Sequence, residues 1–239
     1  MFPLDTYRNF RQRAFEVYYR LRHAGWTFWK RFPSLAIAGH VTLPNSFSFN
    51  ELEAEPRGVQ APDGRYFSSV NSLDVEQLPS AIIRAIKNYD SVLRLYLGDH
   101  YLINNPNVWR NHTIPKEFRN MELFSQHWHY DKVVDFRNIQ LFILLGTVTD
   151  EDGPLEFVVN SDEQKVMRSV LERNNIDLTI EAKKLTGIRG DSFLFSTGST
   201  PHRAGIPKEG HIRDMFSVGF FPAYTKIGLP SELLLRDMN

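Results

Sequence analysis

The sequence predicts a mainly β chain with its helices gathered in the N-terminal third, and three observations carry that prediction. From Leu123 onward, short apolar runs such as Ile139-Gln140-Leu141-Phe142-Ile143-Leu144-Leu145 and Asp214-Met215-Phe216-Ser217-Val218-Gly219-Phe220-Phe221 alternate with polar turns, the pattern of packed strands. Before that point, apolar residues recur at helical steps over 7–24 and 79–97 instead. The chain has 239 residues and is 42% hydrophobic, enough for one sizeable core. One domain is expected over 1–239, with a helical part and early strands in 1–120 and a β core in 121–222.

Residues 7 to 24 place Phe10, Ala14, Val17, Tyr18 and Leu21 on one helical face. The other face is basic: over residues 1 to 35, Arg8, Arg11, Arg13, Arg20, Arg22, Lys30 and Arg31 oppose only Asp5 and Glu16, a net +5. With Trp26, Phe28 and Trp29 following, this helix suits either packing on the barrel, the commoner use of such a stripe, or weak peripheral contact with an anionic membrane. Residues 33 to 75, broken by Pro44, Pro56, Pro62 and Gly64, read as short strands and loops. Pro79 starts a helix whose apolar positions run from Ile82 to Tyr96 and which Gly98 ends. Asn104-Asn105-Pro106-Asn107 reads as a turn, and Pro115 to Asn120 as a helical turn. Strands are expected over 124–131, 138–147, 154–159, 178–187, 192–196 and 212–222. A helix over 162–173, capped by Ser161 or Asp162, interrupts them on the outside.

The chemistry sits in Gln126-His127-Trp128-His129-Tyr130-Asp131. Residues two apart share a strand face, so His129 and Asp131 can aim an imidazole nitrogen and a carboxylate oxygen at one point. A third ligand is available in His202, at the end of Gly190-Asp191-Ser192-Phe193-Leu194-Phe195 and its following turn. Two His and one carboxylate on one side of a metal form the facial triad of non-heme iron(II) oxygenases. His127 shares the same face and leaves open a two-His, cupin-like site, although Lys132, Val133, Val134 and Asp135 offer no Glu where that site needs one. Arg213, eleven residues beyond His202, opens an apolar strand, and its planar guanidinium suits a carboxylate better than an ammonium would. A surface pair with Asp214 is the plainer use of that Arg. Ser217 shares its face on a regular strand, and His211 is either pocket-lining or a solvated loop residue.

Taken in order, His129-x-Asp131, the apolar strand from Ile139, Gly153-Pro154-Leu155, the Gly190-Asp191 run to His202, and Arg213 resemble the phytanoyl-CoA dioxygenase-like family of iron(II) and 2-oxoglutarate-dependent oxygenases. The resemblance covers roughly residues 120 to 222. It implies a double-stranded β-helix, the jelly-roll of cupin-like barrels, with N-terminal helices packed on one side. It further implies His129, Asp131 and His202 as iron ligands, Arg213 as the anchor of the distal carboxylate of 2-oxoglutarate with Ser217 assisting, and O2 as oxidant. The expected outcome is oxidation of a small molecule with release of succinate and CO2. Because Asp131 keeps the carboxylate that related halogenating enzymes lack, hydroxylation, desaturation or ring closure is favoured. Where the family has a Gly-Ser-His turn, this chain has Asn160-Ser161-Asp162.

Composition narrows the alternatives. The formal net charge is zero, which argues against a nucleic acid held by bulk electrostatics. There is no cysteine, so disulfides, thiolate metal sites and cysteine nucleophiles are excluded together. No apolar run approaches the roughly 20 residues that cross a bilayer, and the N-terminus lacks the apolar centre of a signal peptide. A soluble, cytoplasmic protein is expected.

Overall fold

A computed structural model describes residues 36–121, 123, 125–129, 131, 138–158, 182–198, 200–223 and 228–235. The helices expected over 7–24 and 162–173, and the first part of the strand expected over 178–187, lie outside them.

The long sheet contains β1 (Ala36–His40), β2 (Glu55–Pro56), β3 (Ser68–Ser72), β4 (Tyr101–His112), β5 (Ile139–Leu144), β8 (Asp191–Phe195), β10 (Ile212–Pro222) and β11 (Leu229–Pro230). Its order is β1-β8-β5-β10-β4-β3-β2, with β11 also on β4, and every pairing is antiparallel. A short sheet of β6 (Leu155–Phe157), β7 (Lys183–Lys184) and β9 (His202–Ala204) runs in the order β7-β6-β9. The two sheets face each other across Phe142, Leu144, Phe195 and Met215 from the long one and Leu155 and Phe157 from the short one. This is the jelly-roll arrangement that the sequence predicts.

Alternation along β5 sorts the two faces. Ile139, Leu141 and Ile143 point outward to a helix, while Gln140, Phe142 and Leu144 point between the sheets. The helix is α1 (Ser80–Leu97), with Pro79 at its N-cap and Gly98, at φ 105°, closing it through an N–H bond to the Arg94 carbonyl. Ile82, Ile86 and Leu93 recur on its buried face and pack on Leu194, Phe216, Val218 and Phe220 of the outer sheet face. Each such side chain contributes about 1.5–3 kcal/mol by leaving water. A short α2 (Ser231–Leu235) follows β11.

Two sequence expectations need correction. Asn104-Asn105-Pro106-Asn107 is no turn but the middle of the 12-residue β4. Asn107 pairs with Ser217 and Asn104 with Gly219, so two residues of β4 oppose one of β10. Pro106 occupies this bulge, where a missing N–H breaks no ladder bond. Likewise 124–131 forms no continuous strand among the described residues. It touches 197–204 at separate points: Ala204 N–H donates to Ser125 O, His129 and His202 exchange both backbone bonds, and Asp131 N–H donates to Thr197 O.

Candidate metal centre

The exchange of backbone bonds between His129 and His202, each N···O 3.0 Å, sets the two imidazoles side by side with ring centroids 4.4 Å apart. His129 Nδ1 lies 2.7 Å from the His127 carbonyl oxygen, and His202 Nδ1 lies 2.9 Å from that of Thr200. A carbonyl only accepts, so both Nδ1 atoms carry the proton and both Nε2 lone pairs face inward, the tautomer a metal requires. Asp131 Oδ1 stands 3.7 Å from His129 Nε2 and 3.6 Å from His202 Nε2, too far for hydrogen bonds. Among the described residues, the three sequence-predicted ligands thus converge with their ligand atoms within 4.8 Å of one another. An ion about 2 Å from each fits near the centre of that triangle.

Asp131 is fixed from its other side. Gln140 Nε2, on the inward face of β5, donates to Asp131 Oδ2 at 3.1 Å, which leaves Oδ1 to the two histidines. Asn138 Nδ2 donates to Thr197 Oγ1 at 2.8 Å, freeing that hydroxyl's proton for the carboxylate. Burial pushes the Asp131 carboxyl up, yet His202 when it is protonated, the Thr197 hydroxyl, and His129 when it is protonated outweigh it and hold the group below the usual carboxylate range. The carboxylate is therefore ionised at neutral pH. Sequence reasoning missed Gln140, Asn138 and Thr197. A signal existed for the first, a lone amide in an apolar strand.

The triad opens into a cavity of about 520 Å³. Its walls include Gln140, Phe142, Ser217, Trp109 and Ser68, and Arg57 stands at its exposed side. Ser217 is on the cavity wall, whereas Arg213 is not among the lining residues. Arg213 is fully buried, and burial pulls its guanidinium down to about 10, with the Glu156 charge working the other way, so it remains a cation at neutral pH. Its Nη2 donates to Asn111 Oδ1 at 2.9 Å and its Nη1 to the Gly153 carbonyl, while Nε has no acceptor among the described residues. The surface pairing with Asp214 does not occur, because Arg110 takes that carboxylate through two bonds of 2.7 and 2.8 Å.

Gly153 explains why the sequence reads Gly-Pro-Leu here. Its φ is 63°, and a Cβ would meet the Ile206 carbonyl carbon and Pro207 nitrogen at 2.4 Å, so only glycine brings this carbonyl to Arg213. His127 contributes its carbonyl, and its ring is not among the cavity walls. His211 pairs with Asp152 at 2.9 Å instead of lining the cavity.

No protein-family model and no curated protein matches this chain. Solved structures do. The non-heme alpha-ketoglutarate-dependent carbocyclase SnoK from nogalamycin biosynthesis aligns with a TM-score of 0.50 at 14% identity, covering 72% of this chain and 70% of that one. HygX from Streptomyces hygroscopicus, solved with nickel and 2-oxoglutarate, gives 0.48 at 13% identity over 80% and 84%. The epimerase SnoN, solved with Fe3+, alpha-ketoglutarate and nogalamycin RO, gives 0.46 at 15% over 71% and 68%. The match to SnoK establishes a common jelly-roll fold. Among the described residues, no helix is long and apolar enough to cross a membrane.

Proposed function

We infer that this chain is an iron(II)- and 2-oxoglutarate-dependent oxygenase acting on a small molecule, with residues 1–239 serving one such domain in the cytoplasm. One observation carries the reading: two imidazoles, each tied through Nδ1 to a carbonyl, present Nε2 beside the same ionised carboxylate oxygen. Two neutral nitrogens and one hard anion suit iron(II) and leave its opposite face free. His129, Asp131 and His202 would hold the ion. Iron with 2-oxoglutarate would supply the oxidising chemistry, consuming O2 and releasing succinate and CO2.

The chain's own residues do the rest. Gln140 donates to Oδ2 of Asp131, so Oδ1 is the oxygen that would hold the ion. Arg213 would take the distal carboxylate of 2-oxoglutarate, since a buried cation whose Nε has no acceptor among the described residues is costly unless an anion completes it. Ser217, on the cavity wall, would assist with its hydroxyl. The cavity volume exceeds that of the co-substrate and leaves space for a small organic substrate beside Phe142, Trp109 and Arg57. The test is succinate release by the iron(II)-loaded protein against a panel of metabolites. Succinate formation stimulated by at least one small molecule is expected, and its absence together with failure to take up iron(II) would overturn the assignment.

A further inference from the structure

Arg57 is the exception among the described arginines. Every other one gives a guanidinium hydrogen bond to a carboxylate, a hydroxyl, an amide oxygen or a backbone carbonyl. Arg57 gives none among the described residues, and its guanidinium lies over the Trp109 ring, 6.0 Å from the centroid. Its backbone is nevertheless fixed by the sheet. β2 pairs with β3, Arg57 N–H continues that pairing to the Ser68 carbonyl at 2.8 Å, and Val59 N–H donates to the Leu123 carbonyl at 3.1 Å. The stretch 57–59 is thereby tied at both ends, and all three of its residues line the cavity that holds the triad.

An exposed arginine needs no partner for stability, because water serves its N–H groups, and Arg57 is exposed. What sets it apart is where the cation stands. Among the described residues, Asp131 and Arg57 are the charged groups of the cavity wall besides the two histidines, and Asp131 is committed to the ion. With co-substrate in place, the 2-oxoglutarate dianion offsets iron(II) and the Arg213 cation offsets Asp131, which leaves the Arg57 charge over. A cation beside apolar walls such as Phe142 and Phe221 attracts an anion more strongly than one on open surface. The Trp109 contact steadies the guanidinium through the ring face and uses up no N–H group. Its planar donor fork stays free for a carboxylate or a phosphate.

We propose that Arg57 is a specificity-determining residue and that the oxidised substrate is a small anion, its carboxylate or phosphate paired with this guanidinium and its apolar body laid against Phe142 and Phe221. This rests on the oxygenase reading above and adds what that reading lacks, the charge of the substrate. A neutral analogue of the same shape forfeits the charge-assisted pair and binds less well.

The experiment is anaerobic calorimetry of the full chain saturated with iron(II) and 2-oxoglutarate, so that the added probes meet neither an open metal nor a free co-substrate site. The probes are phenylacetate, phenyl phosphate and the neutral phenylacetamide, and the first two separate a carboxylate preference from a phosphate one. In wild type at least one anion should bind about fivefold or more tighter than the amide. Arg57→Gln should weaken that anion about fivefold or more, while the amide binds both proteins alike. Arg57→Lys should recover part of the loss, since it keeps the charge and not the fork. Iron(II) and 2-oxoglutarate affinities should be the same in all three proteins. Anions that bind no better than the amide, or that bind Arg57→Gln as well as wild type, would overturn the proposal while leaving the oxygenase reading intact. Wild type that takes up iron(II) without 2-oxoglutarate, or neither, would overturn the oxygenase reading and the substrate proposal with it.

Discussion

Replacing Gln140 by Leu removes one hydrogen bond and tests how the metal carboxylate is held. In the folded protein Gln140 Nε2 donates to Asp131 Oδ2 at 3.1 Å, and Asp131 is about a quarter exposed. A hydrogen bond to a charged group contributes about 1.5–3 kcal/mol, and losing an outer partner of a metal ligand commonly costs about 10- to 100-fold in affinity. The two ranges agree at about 1.4 kcal/mol per tenfold. Gln140→Leu should therefore weaken iron(II) binding by roughly 10- to 100-fold. Leu is close in volume, and Phe195 and Gly219, the cross-strand neighbours, can accept it. Gln140→Glu sets a second carboxylate against Asp131, which raises the proton affinity of the pair and makes metal uptake fall more steeply as pH drops. The assay is anaerobic competition titration of iron(II) against a chromophoric chelator, with circular dichroism to confirm the fold. Wild-type affinity in Gln140→Leu would refute the role of this bond.

Other expectations follow from the same geometry. His129→Ala, Asp131→Ala and His202→Ala should each abolish succinate formation, whereas His127→Ala should still bind iron(II), because His127 serves through its backbone carbonyl. Equilibrium dialysis of the four variants checks this. Gly153→Ala should destabilise by at least about 1–2 kcal/mol from the left-handed conformation alone, and should move the carbonyl that holds Arg213; denaturant unfolding and 2-oxoglutarate affinity read the two effects. Asp152 has its carboxyl pushed up by burial but drawn lower on balance by the Thr149 hydroxyl and N–H and by His211. Its folded value lies below its unfolded one, so its contribution is present above the unfolded value and is lost as pH falls through the folded one. The stability gap between wild type and Asp152→Asn should accordingly be open at pH 7 and close at strongly acidic pH, as thermal melts across pH will show.

The parts legible in the sequence were those written in local spacing. Periodicity located α1 and the strands β5, β8 and β10 to within a few residues, since each has a sustained apolar pattern on one face. The triad was legible because His129 and Asp131 are two apart and His202 ends a recognisable run. β4 was hidden by Asn and Pro residues that mean a turn in isolation and a bulge when a partner strand is present. The segment 124–131 was misjudged for the opposite reason: its alternation suggested a strand, yet among the described residues it makes separate contacts with 197–204. Gln140 was illegible as a partner of Asp131, because its placement follows from which strands pair and in what register. No window of the chain contains that information.

The central claim is that His129, Asp131 and His202 hold one iron(II) to which 2-oxoglutarate binds, and a single anaerobic measurement addresses it. Iron(II) is added to the purified protein and then 2-oxoglutarate, while visible absorbance is followed for the band of the iron-bound 2-oxo acid. A band that saturates at one iron and one 2-oxoglutarate per chain, and that is absent in Asp131→Ala, is the predicted result. A protein that takes up no iron(II), or an Asp131→Ala variant that gives the same band as wild type, would contradict it.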